Sequence, residues 1–187
     1  LDTVKIAAIV KILLEELGED STREGLRDTP ERVARFYQEF LGYLPENSDT
    51  TFEAVRADQL VVVKDIPIFS LCEHHLLPFW CDVAIGYLTH EKVLGLSKFA
   101  RIAQNYAHQL QLQERLTQQI AETVEKAVQS PDVAVVVSGQ HLCMMMRGIK
   151  TPAVMVTSVM LGQFRDNHEL RSEFLTIVGQ KGLGCGR

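Results

Sequence analysis

Phe69-Ser70-Leu71-Cys72-Glu73-His74-His75-Leu76-Leu77-Pro78 packs a thiol and two imidazoles into four consecutive residues. Cys72 and His75 form a C-x-x-H pair, a spacing at which a tight turn presents one sulfur and one nitrogen to the same tetrahedral zinc ion. Alone the pair is weak, because buried free cysteines commonly serve as small hydrophobes. The best source of a third ligand is Cys143 in Gln140-His141-Leu142-Cys143-Met144-Met145-Met146-Arg147-Gly148, where a second histidine stands two residues before a second thiol. Two thiols and one imidazole leave a fourth position open, the mark of a catalytic rather than a structural zinc.

Outward from this stretch the chain reads as strands. Leu60-Val61-Val62-Val63 and Ile66 to Phe69 precede it, Asp82 to Leu88 is a second β run, and Val93-Leu94-Gly95-Leu96 is a third. Antiparallel hairpin pairing is expected across Thr89-His90-Glu91-Lys92. From Ser97 the period turns helical, with Phe99, Ile102, Ala103 and Tyr106 on one face. Another helix runs through Leu116, Ile120, Val124 and Val128 to Ser130-Pro131. Val133 to Val137, Met144 to Met146 and Val154 to Leu161 are β-like, and Asp166-Asn167 opens a closing helix through Leu170, Phe174 and Val178. A Gly179 to Gly186 tail is expected to be mobile.

Towards the N-terminus, Ile6, Ile9, Val10, Leu13 and Leu17 form the apolar stripe of a helix that stops at Gly18. Ser21-Thr22-Arg23-Glu24 reads as a capping box for a short helix. Thr29 as cap and Pro30 at the first helical position start a further helix to about Leu41, closed by Gly42. Tyr43 to Ala57, with Pro45, Asn47, Ser48 and Asp49, has no period and reads as a linker. The order of helices, strands, helices, strands, helix suits an α+β domain with helices on one face of an antiparallel sheet.

The 187 residues suffice for one sizeable core, and 46% hydrophobic with 23% charged residues is ordinary for a globular chain. No apolar run reaches the roughly 18 to 20 residues of a membrane span, and a cytoplasmic protein is expected. Four cysteines are too few for a disulfide scaffold; Cys81, beside Trp80, reads as a packed thiol. The formal charge of −5 argues against nucleic-acid or anionic-membrane partners, which need a net basic face.

Cys72-Glu73-His74-His75, Gly95-Leu96-Ser97-Lys98-Phe99-Ala100-Arg101, Gln113-Glu114-Arg115-Leu116-Thr117 and His141-Leu142-Cys143 through Arg147-Gly148, in this order, together resemble type I GTP cyclohydrolase. Asp28-Thr29-Pro30-Glu31-Arg32 matches a further family segment. The resemblance implies a zinc enzyme that converts GTP and water to 7,8-dihydroneopterin triphosphate and formate. It makes Cys72, His75 and Cys143 the zinc ligands and His141 the donor of a proton to purine N7. His74 and Ser97 are implied in proton transfers at the ribose. Glu114 is implied to read guanine, with Gln113 beside it in the substrate site, and Lys98, Arg101, Arg147 and Arg32 to contact the triphosphate. A carboxylate suits guanine because it accepts from both N1–H and the exocyclic amine.

The resemblance also implies the tunnelling fold, in which four-stranded subunit sheets join into a ring and two pentamers stack as a homodecamer with sites between subunits. An N-terminal helical arm and linker over residues 1–57 and a catalytic domain over 58–187 are expected. Two departures stand out: Ser138 replaces an acidic residue common in the family, and the segment Ile149 to Ser158 is one residue short and lacks a usual serine. The competing readings are a related pterin or deazapurine enzyme of the same fold, against which the two cysteine ligands argue, and a structural-zinc binding module completed by Cys81 or His74.

Overall fold

The computed structural model describes residues 1–44 and 50–180. The chain divides into two compact units, Leu1–Leu44 and Pro45–Arg187. In the first, α1 (Thr3–Glu16) starts at Asp2, whose carboxylate accepts from the Lys5 amide at 3.0 Å. The expected stripe lies on this helix, but Ile9, Leu13 and Leu17 are exposed. The following residues form turns rather than the expected short helix: the Asp20 side chain accepts the Thr22 amide at 2.9 Å, closing an Asx turn where a helical cap was expected. Pro30 lies in the first turn of α2 (Thr29–Leu41), which ends at Gly42 as expected.

The second unit holds β1 (Thr51–Glu53), β2 (Leu60–Cys72), β3 (Pro78–Leu88), β4 (Lys92–Leu94), α3 (Leu96–Ala107), β5 (Leu110–Gln111), α4 (Gln113–Val128), β6 (Val133–His141), α5 (Leu142–Met145), β7 (Met155–Met160), α6 (Gln163–Asp166) and α7 (His168–Gly179). The main sheet runs β5-β2-β3-β6-β7. Its β2, β3, β6 and β7 are antiparallel neighbours, as expected, but a fifth strand is present: β5 lies parallel to Leu71–Cys72 at the edge. The hairpin expected between β3 and β4 does not form. Thr89 is held back by Gln59 and Arg56, and β4 pairs instead with β1, a three-residue strand inside the stretch expected as linker. Strands this short carry no readable period.

Helices cover both faces of the sheet, not one. On one face Phe99, Ile102 and Ala103 of α3 and Leu116, Ile120, Val124 and Val128 of α4 pack against Val83, Ile85, Tyr87, Val133, Val135 and Val137. These strand residues alternate with Ala84, Leu88, Ala134 and Val136, which pack on the other face against Phe164 of α6 and Phe174 of α7. Gly86 admits that helix, because a Cβ there would stand 2.7 Å from the Phe174 ring. A register shift between Val63 and Ile66, where Asp65 takes a positive φ of 58°, moves the inward residues of β2 from odd to even positions. Met144 and Met145 are helical rather than β-like, with the Met146 amide bonded to the Leu142 carbonyl at 3.0 Å. Asn167 caps α7 as expected, accepting from Glu169 and Leu170. Residues 45–49 of the expected linker and the tail from 181, with Cys185, lie outside the described residues.

Candidate metal centre and its surroundings

The sheet order brings the two halves of the candidate centre together. The β2–β3 connection carries Cys72 and His75; β6 runs antiparallel to β3, so its C-terminal end lies beside that connection, with Phe79 paired to His141. Cys143 follows in α5. The turn is closed by the Cys72 amide on the Leu77 carbonyl at 2.9 Å and by the Leu76 amide on the Cys72 carbonyl at 2.8 Å. Leu76 takes a positive φ of 56° to complete it.

Cys72, His75 and Cys143 place their ligand atoms within 4.8 Å of one another. Cys72 Sγ lies 3.8 Å from His75 Nδ1, near the edge of about 3.6 Å that tetrahedral zinc with ordinary Zn–S and Zn–N bonds requires. Burial, then the hydrogen bond and charge of Cys72, push the Cys143 thiol up. Two adjacent thiolates are mutually unfavourable until a cation sits between them, so the donor set fits zinc. Cys81 does not join this group: its buried thiol points at Gln113 Oε1, 3.7 Å away, and desolvation with Asp82 nearby pushes it to about 12.

Around the group, Arg147 Nη1 lies 2.7 Å from His75 Nε2. His74 is exposed and meets the His75 ring edge-on, with centroids 6.2 Å apart. His141 stacks on Phe79 at 4.4 Å with planes 8° apart, and its Nε2 lies 2.8 Å from Gln113 Oε1. Burial lowers the His141 pKa, and the charge of Glu114 opposes that shift. Glu114 is exposed in the first turn of α4, where a carboxylate is favoured by the helix dipole.

Ser97, Lys98 and Arg101 lie elsewhere. The last residue of α3 reaches the site end of the sheet, where Ser70 Oγ donates to the Ala107 carbonyl at 2.7 Å. The first turn of α3, with Ser97 and Lys98, therefore stands about 15 Å away along the helix axis. Arg101, six residues from that end, stands about 9 Å from it. Arg32 belongs to the N-terminal unit and pairs with Asp28 at 3.2 Å.

Sequence reasoning missed several supporting residues. Arg115 donates to Glu73 on the ligand turn, to Gln111 Oε1 at 2.7 Å and to the Leu110 carbonyl at 3.0 Å. Gln111 is itself buried and donates to Gln119 and to the Tyr106 carbonyl. Phe79 could have been suspected as the aromatic residue opening the strand after the ligand turn. Thr157 and Gly139, which pack around Gln113, carried no signal.

The family model for GTP cyclohydrolase I matches residues 6–179. Proteins named GTP cyclohydrolase 1 are 52% identical over 177 residues in Methylococcus capsulatus, covering 90% of this chain and 94% of the relative. The Hahella chejuensis relative is 51% identical over 180 residues, with 93% and 95% covered. The Saccharomyces cerevisiae relative is 48% identical over 186 residues, with 96% and 76% covered. No described helix is long and apolar enough to cross a membrane. A thiol and an imidazole at the β2–β3 turn with a second thiol from α5, a stacked histidine at the end of β6 and a match over nearly the whole length lead to one assignment: the chain belongs to the GTP cyclohydrolase I family.

Proposed function

We propose that this chain opens the imidazole ring of GTP with water and rearranges the product to 7,8-dihydroneopterin triphosphate and formate, using zinc held by Cys72, His75 and Cys143. The observation that carries the proposal is the convergence of those three ligand atoms within 4.8 Å, in a domain where His141 is the immediate neighbour of the β2–β3 turn. Zinc bound there supplies the Lewis acidity that makes water a nucleophile at neutral pH. His141 donates a proton to purine N7, which makes C8 electrophilic; its stack on Phe79 fixes the plane from which it acts. Glu114 accepts from guanine N1–H and the exocyclic amine at the start of α4. Exposed His74 serves the ribose proton transfers together with Ser97.

The triphosphate is bound by Arg147 on the metal side and by Lys98, Arg101 and Arg32. Because Ser97 and Lys98 stand about 15 Å, and Arg101 about 9 Å, from the site end of α3 along the helix, we assign these residues to a neighbouring subunit's site. Among the described residues no strand pairs with the outer edge of β7 or with most of that of β2, which supports closure of the sheets into a ring. The assembly we propose is the tunnelling-fold homodecamer of two stacked pentamers, built from an arm over residues 1–57 and a catalytic domain over 58–187. Free thiols at Cys72, Cys81 and Cys143 suit work in the reducing cytoplasm.

The test is to mix zinc-loaded protein with GTP and follow formate together with the near-ultraviolet absorbance of a dihydropterin. Both signals are expected in equal amounts. Formate alone would remove the ribose step and the roles of His74 and Ser97, and neither signal would overturn the reading.

A further inference from the structure

We infer that Gln113 is a positioning residue for His141 rather than a contact to substrate. Its side chain is 1% exposed and both ends are committed within the protein. The amide nitrogen donates to the carbonyls of Val137 and Met155, each at 3.0 Å, and lies 3.2 Å from Thr157 Oγ. Carbonyls only accept, so this end is the NH2 group and the other end is the oxygen. That oxygen faces His141 Nε2 at 2.8 Å and can only accept, so Nε2 carries a proton and points into the protein. Nδ1 is left as the ring nitrogen able to pass a proton on, and it holds one only while the ring is an imidazolium.

The amide lies against two linked threonines. Thr117 Oγ donates to the main-chain carbonyl of Gln113 at 2.7 Å and lies 2.6 Å from Thr157 Oγ. Since Thr117 spends its proton on that carbonyl, Thr157 donates to Thr117, and its Oγ stands 3.2 Å from an amide nitrogen whose two protons go to the Val137 and Met155 carbonyls. A second observation is independent of these bonds. Gly139, two residues before His141 on β6, makes room for the amide oxygen: a Cβ there would stand 2.6 Å from Gln113 Oε1 and also strike the Cys81 sulfur. The strand is hollowed where the oxygen reaches the histidine. Gln113 also opens α4, so the element that orients His141 carries Glu114 as its next residue. One buried amide thereby sets the spacing between proton donor and guanine reader.

This inference rests on the proposed role of His141, and the test separates the two. Zinc-loaded wild type, Gln113→Met, His141→Gln and the double variant are compared for kcat, KM for GTP and bound zinc. Gln113→Met is expected to lower kcat about 10- to 100-fold, the scale of a misplaced catalytic group. Its KM should stay within about threefold, with bound zinc unchanged. In the His141→Gln background the same substitution should cost nothing further, because its effect runs through the imidazole. Full activity in His141→Gln would remove the His141 role itself. If His141→Gln is impaired but Gln113→Met raises KM at constant kcat, loses zinc, matches wild type, or keeps its full cost in the double variant, the positioning role is overturned. Should Gln113→Met fail to fold, Thr157→Val reads the same device: kcat is expected to fall about three- to tenfold, with recovery in Thr157→Ser. Wild-type turnover in Thr157→Val would then overturn the inference.

Discussion

Replacing Arg115 by methionine should weaken zinc binding while leaving the domain folded. The guanidinium joins Glu73 on the ligand turn to Gln111 and to the Leu110 carbonyl, so it is the side chain that ties the Cys72–His75 turn to β5 and the start of α4. Methionine keeps most of the apolar stem and deletes all three contacts. The Arg115 and Glu73 side chains are 43% and 31% exposed, which screens their charge interaction; a partly solvated tie of this kind contributes about 1 kcal/mol. The turn retains the Glu73 amide on the Gln111 carbonyl at 3.2 Å and its own closing bonds, so it loses order rather than its fold. About 1 to 1.4 kcal/mol of lost pre-organisation corresponds to zinc held about five- to tenfold more weakly, towards the lower end of the range for partners that orient metal ligands. Competition against a chromogenic zinc chelator measures this directly, with circular dichroism as the control for folding. Glu73→Gln should show a similar loss, and the double variant no more than the larger single effect. Unchanged zinc affinity in Arg115→Met would refute the reasoning, as would a loss that Glu73→Gln does not share.

Glu114→Gln should lower kcat/KM for GTP by about 10- to 100-fold, since one charge-assisted acceptor becomes a donor facing a donor. It should also narrow the preference for GTP over ITP, which lacks the exocyclic amine, and an unchanged ratio would return Glu114 to a surface role. Asp132 is desolvated, which raises its pKa, but hydrogen bonds from the Gln163 amide at 2.7 Å and from His90 and the Gln163 side chain outweigh this and lower it below 3.8. The folded state therefore binds fewer protons than the unfolded chain near that pH. Its stabilisation is complete above 3.8 and lost as pH falls through the lowered value, so Asp132→Asn should flatten the acid limb of a stability–pH profile. Cys81, pushed to about 12 and buried, should resist iodoacetamide at pH 8 until the protein is unfolded, as read by mass spectrometry; rapid native labelling would contradict its packed position.

The elements legible in the sequence were those with a sustained period and a cap. The helical face of Leu116, Ile120, Val124 and Val128 is buried as its spacing implies, and Asn167 caps the closing helix through its side chain. What failed was short or locally ambiguous. Three residues at Thr51–Glu53 cannot display alternation, so the partner of β4 was invisible and a local hairpin looked preferable. The methionine run is apolar without period, and its conformation is set by α5 following directly on β6. The second layer of helices was hidden because alternation in β3 and β6 shows that both faces contain apolar residues only when Ala84, Gly86 and Ala134 are counted as packing positions. Small residues look neutral in a sequence, although here they let Phe174 approach the sheet.

At the site the same division has a chemical cause. A candidate metal ligand announces itself by residue type once the C-x-x-H pair, weak alone, is joined by a second histidine and thiol at His141 and Cys143. A residue that orients a catalytic group needs only a hydrogen bond, which most polar side chains can supply. Register then carries the information that residue type does not. Val133, Val135, Val137, Gly139 and His141 occupy alternating positions of β6, so the run that buries three valines under α4 also delivers a glycine to the Gln113 oxygen and an imidazole to Phe79. A slip by one residue would turn His141 to the opposite face and bring Ser138 or Gln140 against the amide. The valine core therefore does more than stabilise the sheet: by fixing the pairing of Phe79 with His141, it sets the proposed proton donor beside the turn that carries Cys72 and His75.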